Sequence, residues 1–459
     1  MRKSLLAQLP LVPVTIDHDH ARELEAASVL LDQLPEATKL VFEDLAWRGR
    51  KRVDPTKGRH GMGAEQLLRV AILKQLEGCS YEMLAFHLAD SASCRRFCRL
   101  GLNREPPKKA TLQKNVKRVK PETWKRINDL LVLKAKELGI EYGEKVRTDC
   151  TVVESNIHHP TDSSLLWDSV RVLVRAMGGA KTEFGIEFHD HSRRAKRRSL
   201  GISHAKTAAQ RKTLYRDLIK VTDKTVKQAE QVAQQLDQVQ VGSILQMALA
   251  ASLASDLRHY ADLARKVIWQ TERRVIDGET VPASEKLVSI FETHTDVIIK
   301  DNRETLYGHK LCLTSGASGL VTDVVVEQGN PADSTLAVKM IERQRDLYGK
   351  VPRQACFDGG FASRDNLAAI KELGVKDVAF HKRCRLEVED MVKSTWVYRQ
   401  LRAFRAGIEG IISFLKRGFG LGRCAWRGFQ SFQAYVQASV VACNLLIMAR
   451  HALAAAKAA

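Results

Sequence analysis

Arg353-Gln-Ala-Cys-Phe-Asp-Gly-Gly-Phe361 reads as a short buried strand that ends on a carboxylate. Ala355, Cys356 and Phe357 are apolar, so Asp358 emerges from a core. Gly359 and Gly360 remove side chains where the chain must turn sharply or pass close to another element. A second strand candidate, Lys145-Val-Arg-Thr-Asp-Cys-Thr-Val-Val153, carries β-branched Val146, Val152 and Val153 and holds Asp149 inside it. The two acids can meet only if these strands are neighbours in one sheet. Working outward, 307–314 and 320–326 read as a hairpin around Ser315-Gly-Ala-Ser-Gly319, followed by a helix to about 348. The strand at 353–358, a helix at 363–373, a strand at 375–380 and helices at 396–416 and 430–453 complete the pattern. This order is a mixed α/β sheet with flanking helices.

The helix at 396–416 supplies a third acid. At 100° per residue, Leu401, Phe404, Ile408, Ile411, Ile412 and Leu415 share a stripe roughly 100° wide. Arg402, Arg405, Glu409 and Lys416 fall together within about 60° beside it. Glu409 is therefore expected at the edge of the buried face. By itself the helix reads rather as an amphipathic one with an Arg405–Glu409 ion pair. Two strand acids and one helix acid are the oxygen ligands that a pair of divalent ions needs for phosphodiester chemistry.

Composition names the substrate class. The 459-residue chain has 73 Lys and Arg against 53 Asp and Glu, a formal charge of +20, which favours a polyanionic partner. No uninterrupted run of 18 apolar residues is present, so no membrane role is expected. Nine scattered cysteines without a Cys-x-x-Cys pair fit a reducing compartment, and a cytoplasmic location is expected. The basic, briefly apolar start, Met1 to Pro10, is too short for a signal peptide.

The chain divides into an N-terminal segment with a basic connector (1–60), a helical module (61–142), a core made from 143–164 and 301–453, and a mostly helical insertion (165–300). In the module, Leu67, Leu68, Ala71, Ile72 and Gln75 form one helical face closed by Gly78, Ser80 caps a second helix and Pro121 opens a third. Lys114 and Lys117 lie on a short basic helix, so the module is either a DNA-binding domain or a bundle with solvated charges. The insertion reads as an antiparallel pair of helices, about 205–238 and 251–276, preceded by a basic run that includes Arg193, Arg194 and Arg197. Glu154 and Asp162 compete with Asp149 as the first acid but lie in a polar loop. His158 and His159 are read as positioning that loop. His18-x-His20, His189-x-His191 and Cys94-x3-Cys98 lack a third ligand nearby and are not read as zinc sites.

Taken in order, these blocks resemble the DDE transposases of bacterial insertion sequences. The resemblance spans roughly 60–450. Asp149 with its sequel to Ser164 looks like the first-acid block, and Phe357-Asp-Gly-Gly-Phe361 like the second. Gly308-His-Lys310 and Gly329-Asn-Pro-Ala-Asp-Ser334 resemble the second and third strands. Arg405-x3-Glu409-x6-Lys416 resembles the family's Tyr-x2-Arg-x3-Glu-x6-Lys signature, with Arg402 where a Tyr is expected. The resemblance implies an RNase H-like core in which Asp149, Asp358 and Glu409 bind two Mg²⁺, with Mn²⁺ as a substitute. It implies cleavage at element ends and joining of the 3′-OH to target DNA. Arg402, Arg405, Lys416, Arg193, Arg194, Arg197, Lys114 and Lys117 are then expected to contact double-stranded DNA, and a homodimer to hold both ends in synapsis. The rival readings are a nuclease of the same core without strand transfer, and a non-catalytic DNA-binding derivative.

Overall fold

A computed structural model describes residues 16–48, 51–52, 54, 57, 61–101, 105–240, 242–300, 304–382 and 384–458. The first ten residues and most of the connector at 49–60 lie outside them. The chain forms two compact units, Met1–Glu154 with His309–Ala459, and Ser155–Gly308.

The first unit opens with α1 (Asp19–Asp32), α2 (Pro35–Leu45), a two-residue hairpin of β1 (Trp47–Arg48) and β2 (Lys51–Arg52), and then α3 (Ala64–Leu76), α4 (Tyr81–Asp90), α5 (Ala92–Phe97), α6 (Lys109–Val116) and α7 (Pro121–Glu137). The expected face of α3 is buried, and Gly78 follows in the left-handed region at φ +57°. Ser80 caps α4 by accepting from the Met83 amide. Helices on both sides of residue 60 share one hydrophobic core, in which Leu30 and Val41 join Leu67 and Ile72. Strand β3 (Lys145–Ser155) follows.

Among its described residues the second unit holds four long helices where the sequence showed two: α8 (Asp162–Phe184), α9 (Ser192–His204), α10 (Ala208–Gln238) and α11 (Ile244–Thr271). The signal for α8 is a capping box, Thr161 with Ser164, inside what reads as a polar loop. The antiparallel pair is α10 and α11, stitched by Arg258 to Asp237 and Arg265 to Glu230. A π-helical turn, Glu272–Ile276, extends α11. Strand β4 (Asp296–Lys300), absent from the sequence reading, pairs antiparallel with the opening residues of β5 (Glu304–Ser315).

The first unit resumes with β6 (Val321–Val326), α12 (Ala337–Tyr348), β7 (Gln354–Phe357), α13 (Arg364–Glu372), β8 (Asp377–Phe380), α14 (Val388–Met391), α15 (Thr395–Gly418), β9 (Arg423–Cys424) and α16 (Phe429–Ala458). Its strands run in the order β5-β3-β7-β8, with β6 beside β5 and β9 beside β3. β3, β7 and β8 are parallel, and β5 and β6 antiparallel, so the sheet is mixed as expected. Side chains of β5 alternate: Leu311 and Leu313 enter the core built around α16, and Cys312 enters the one built around α12 and α13. By length and composition α16 could cross a membrane. Instead, it packs on α1, α3, α7 and β6 inside the core. Its fully buried Asn444 donates to Asn128 of α7 and the Val321 carbonyl, and accepts from the Val321 amide. The nine cysteines are free thiols.

Candidate active site

The two strand acids meet because of register. Thr148 of β3 faces Phe357 of β7 in a parallel ladder. Asp149 comes next on β3 and Asp358 directly after the end of β7, so neighbouring strands deliver them to the same level. Below Asp358, the ring of Phe357 packs 5.5 Å from Phe361 and 5.7 Å from Phe380, which gives the acid a rigid floor. Gly359 and Gly360 serve close approach. A Cβ on Gly359 would stand 2.9 Å from the Lys382 Cβ, and one on Gly360 3.1 Å from an Asp333 oxygen.

The third acid comes from α15, which starts at Ser394, whose hydroxyl accepts from the Val397 amide. One guanidinium nitrogen of Arg405 lies 3.1 Å from Asp149, 3.3 Å from Glu409 and 3.5 Å from Asp358. The three carboxylates thus converge on a single point, and that point already carries positive charge. Exposure is graded: 14% of the Asp149 side chain is accessible, 41% of Asp358 and 67% of Glu409. Burial pushes the Asp149 carboxyl above its ordinary range, against the opposing pull of the Cys150 amide and of Arg405. The donor set, three hard oxygen acids, suits a divalent cation such as Mg²⁺. In the present arrangement Arg405 supplies the counter-charge, and the described residues include no cluster of three ligands already spaced for an ion. The Arg405 Nε is buried without a hydrogen-bond partner, so its guanidinium is not fully held in this position.

Two family models match the chain. One, described as "Transposase DDE domain", spans residues 268–445, and the other, "Transposase domain (DUF772)", spans 24–118. Together they cover 273 of the 459 residues. The chain belongs to the DDE transposases of insertion-sequence type. No curated protein and no solved structure matches it. The DDE match contains Asp358 and Glu409, whereas Asp149 falls between the two matched ranges. What joins Asp149 to the other two acids is the β3–β7 register and the Arg405 contact.

Three residues that support the turn after Asp358 carry no local mark of that role in the sequence of the transposase. Lys310 of β5 donates to Asp333 at 2.7 Å and to the Pro331 carbonyl at 2.6 Å. Asn366 of α13 donates to the carbonyls of Ser334 and Phe361 at 2.7 and 2.9 Å. These bonds tie the Gly329–Ser334 block to the turn after Asp358. The available signal was the motif itself, since Lys310 and Asp333 both sit in blocks recognised only as strands.

The other expected site residues scatter. Arg402 is exposed, with its guanidinium 5.8 Å from the ring of Tyr398. That Tyr, one turn before the position where the signature expects one, is buried and donates to the Phe380 carbonyl. Lys416 is half-buried near the end of α15, and Lys114 and Lys117 are exposed at α6. In the second unit, residues 193–227 carry 12 Lys and Arg against two Asp, half the chain's formal charge of +20. Arg193 and Arg197 are exposed on α9, whereas Arg194 and Arg198 are engaged by Asp217. The competing acid Asp162 is the first residue of α8 and is held by Arg274. His158 reaches Asp168, and His159 packs edge-on against Tyr307. His20 pairs with Glu77, and Cys94 and Cys98 are buried thiols.

Proposed function

We propose that this transposase binds the ends of an insertion sequence, cuts them by metal-dependent phosphodiester hydrolysis and joins the freed 3′-OH to target DNA. The observation that carries the reading is the meeting of Asp149, Asp358 and Glu409 around one cationic point. A protein that only binds a polyanion gains nothing from gathering three carboxylates there. The parallel β3–β7–β8 strands with an acid at the end of β7 support an RNase H-like core.

Asp149 and Asp358 would hold divalent ions from the sheet, and Glu409 from α15. Two Mg²⁺ ions, or Mn²⁺ in their place, supply the Lewis acidity that activates the attacking oxygen and balances charge on the leaving one. Phe357, Phe361 and Phe380 keep Asp358 from yielding during the displacement. Arg405 turns from the acids to a DNA phosphate, where its planar fork matches the oxygens. Arg402 and Lys416 lie on the same side of α15 and extend that contact. The exposed Lys114 and Lys117 support terminal-repeat recognition by the helical module at 61–142. The basic helices α9 and α10 support phosphate contacts by Arg193, Arg194 and Arg197 in the insertion at 165–300. Two copies, one per element end, would form the synaptic complex in the cytoplasm.

The test incubates purified protein with labelled element ends, target plasmid and Mg²⁺. Strand-transfer product is expected, and its loss in D149A, D358A and E409Q with DNA binding retained. Undiminished product from E409Q sinks the site. Cleavage without joining favours the nuclease, and binding without metal-dependent cleavage the non-catalytic protein.

A further inference from the structure

We propose that Arg147 is a positioning residue that bolts α15 to β3 and thereby sets where Arg405 and Glu409 stand relative to Asp149. The proposal rests on the active-site reading above. Arg147 precedes Asp149 by two positions, so both project from the same face of β3. Its side chain is 8% exposed and threads between three elements. The Nε donates to the Ser315 hydroxyl at 3.1 Å, where β5 changes register against β6. The Nη1 donates to the Phe404 carbonyl at 2.8 Å, and the guanidinium lies 4.5 Å from the centre of the Phe404 ring. Phe404 is the residue before Arg405, so the bolt grips the helical turn that carries the active-site cation.

Gly407 completes the device. A Cβ there would stand 2.1 Å from the Arg147 Nη1 and 3.0 Å from its Cζ. Gly407 lies between Arg405 and Glu409, in a helix interior where glycine costs stability. Its absent side chain is what admits Arg147. Among the described residues no carboxylate contacts this buried guanidinium, on which Glu141 acts only from beyond ion-pair distance; its contacts are a hydroxyl, a carbonyl and a ring. A buried charge without a contacting ionic partner is costly, and an apolar side chain would fill the space at lower cost. Positional control of α15 accounts for that expense: three directional contacts prevent the helix from sliding or rotating over β3.

The test compares R147M, R147K, G407A and the double variant R147M/G407A in the full chain. Hydrogen exchange of amides 404–409, measured without metal, is expected to rise about tenfold in R147M and G407A. Mn²⁺ affinity, read by EPR, should fall roughly 10- to 100-fold, as when a group supporting metal ligands is lost. Single-turnover cleavage should slow by about a hundredfold with DNA affinity within about twofold of wild type, because the damage is misplacement rather than lost binding. The double variant should lose no more than R147M, since Gly407 matters only while Arg147 is present. R147K should recover part of the rate through one hydrogen bond. Wild-type exchange and Mn²⁺ affinity in folded R147M overturn the proposal, and so do losses that multiply in the double variant. Should R147M not fold, G407A and R147K carry the same readouts. A wild-type protein without metal-dependent cleavage defeats the functional reading, while the exchange measurement still decides the bolt.

Discussion

A guanidinium nitrogen of Arg405 stands 3.1 Å from a carboxylate oxygen of Asp149, across 256 positions of sequence. The same nitrogen also faces Asp358 and Glu409, so one arginine keeps three like charges together. R405M leaves the mostly buried Asp149 without its partner. The expected loss is about 1–3 kcal/mol of folding stability, discounted because the other two acids remain solvated. Added Mn²⁺ should then raise the melting temperature of R405M more than that of wild type. Thermal melts with and without the ion check both statements, and equal Mn²⁺ shifts in the two proteins would sink the idea that Arg405 and the ion serve the same charges.

Asp149 makes stability depend on pH in a specific direction. Burial raises its folded-state pKa above the ordinary 3.8. As pH rises through the unfolded value, the unfolded chain releases this proton first, and the folded state binds more protons than the unfolded one. Stability therefore falls through the window between 3.8 and the raised value, then levels off. D149N should be more stable than wild type at neutral pH, by about 1.4 kcal/mol for every tenfold by which burial tightens proton binding at Asp149, with the advantage vanishing below the window. Denaturant titrations from acid to neutral pH read the difference. An advantage that grows toward acid contradicts the burial argument.

The close approach at Gly359 predicts an asymmetry with an exposed control. G359A forces a Cβ to within 2.9 Å of the Lys382 Cβ and should cost about 1–3 kcal/mol through backbone displacement. Gly410 is exposed on α15 with nothing within 4 Å of its Cβ position, and G410A should be stabilising by about 0.5–1 kcal/mol. Strand-transfer activity should fall in the first variant and persist in the second.

Charges on α9 separate by partner. R193A/R197A should weaken DNA binding uniformly across sequences and lower the salt slope by about 1 per lost phosphate contact, with folding unchanged. R194A/R198A removes both partners of Asp217 and should show a stability change as well. Binding isotherms over a salt series, paired with melts, distinguish the two. An unchanged slope for R193A/R197A removes this surface from the DNA path.

Much of the architecture was legible in local pattern. The capping Ser80, the terminal Gly78 and the β-branched run around Asp149 act within a few residues, so sequence exposes them directly. Helix α8 was missed because its capping box lies in a polar stretch that resembles a loop. Strand β4 was missed because five residues beside a turn carry little periodicity. The residues behind the turn after Asp358 were missed for a different reason: Lys310, Asp333 and Asn366 lie on separate elements, and nothing local in Lys310 announces that its ammonium will be bonded to Asp333 beside that turn.

Sequence alone determined the α/β order and the basic character and singled out the three candidate acids, because each rests on residue type and short-range spacing. Only the tertiary structure decided that Asp149 and Asp358 share a level, since that follows from strand adjacency and register across a long helical insertion. Only it decided that Arg405, which the helix pattern merely placed beside Glu409, faces all three acids. Long-range pairing is set by how whole elements bury their apolar faces, and no spacing along the chain records it.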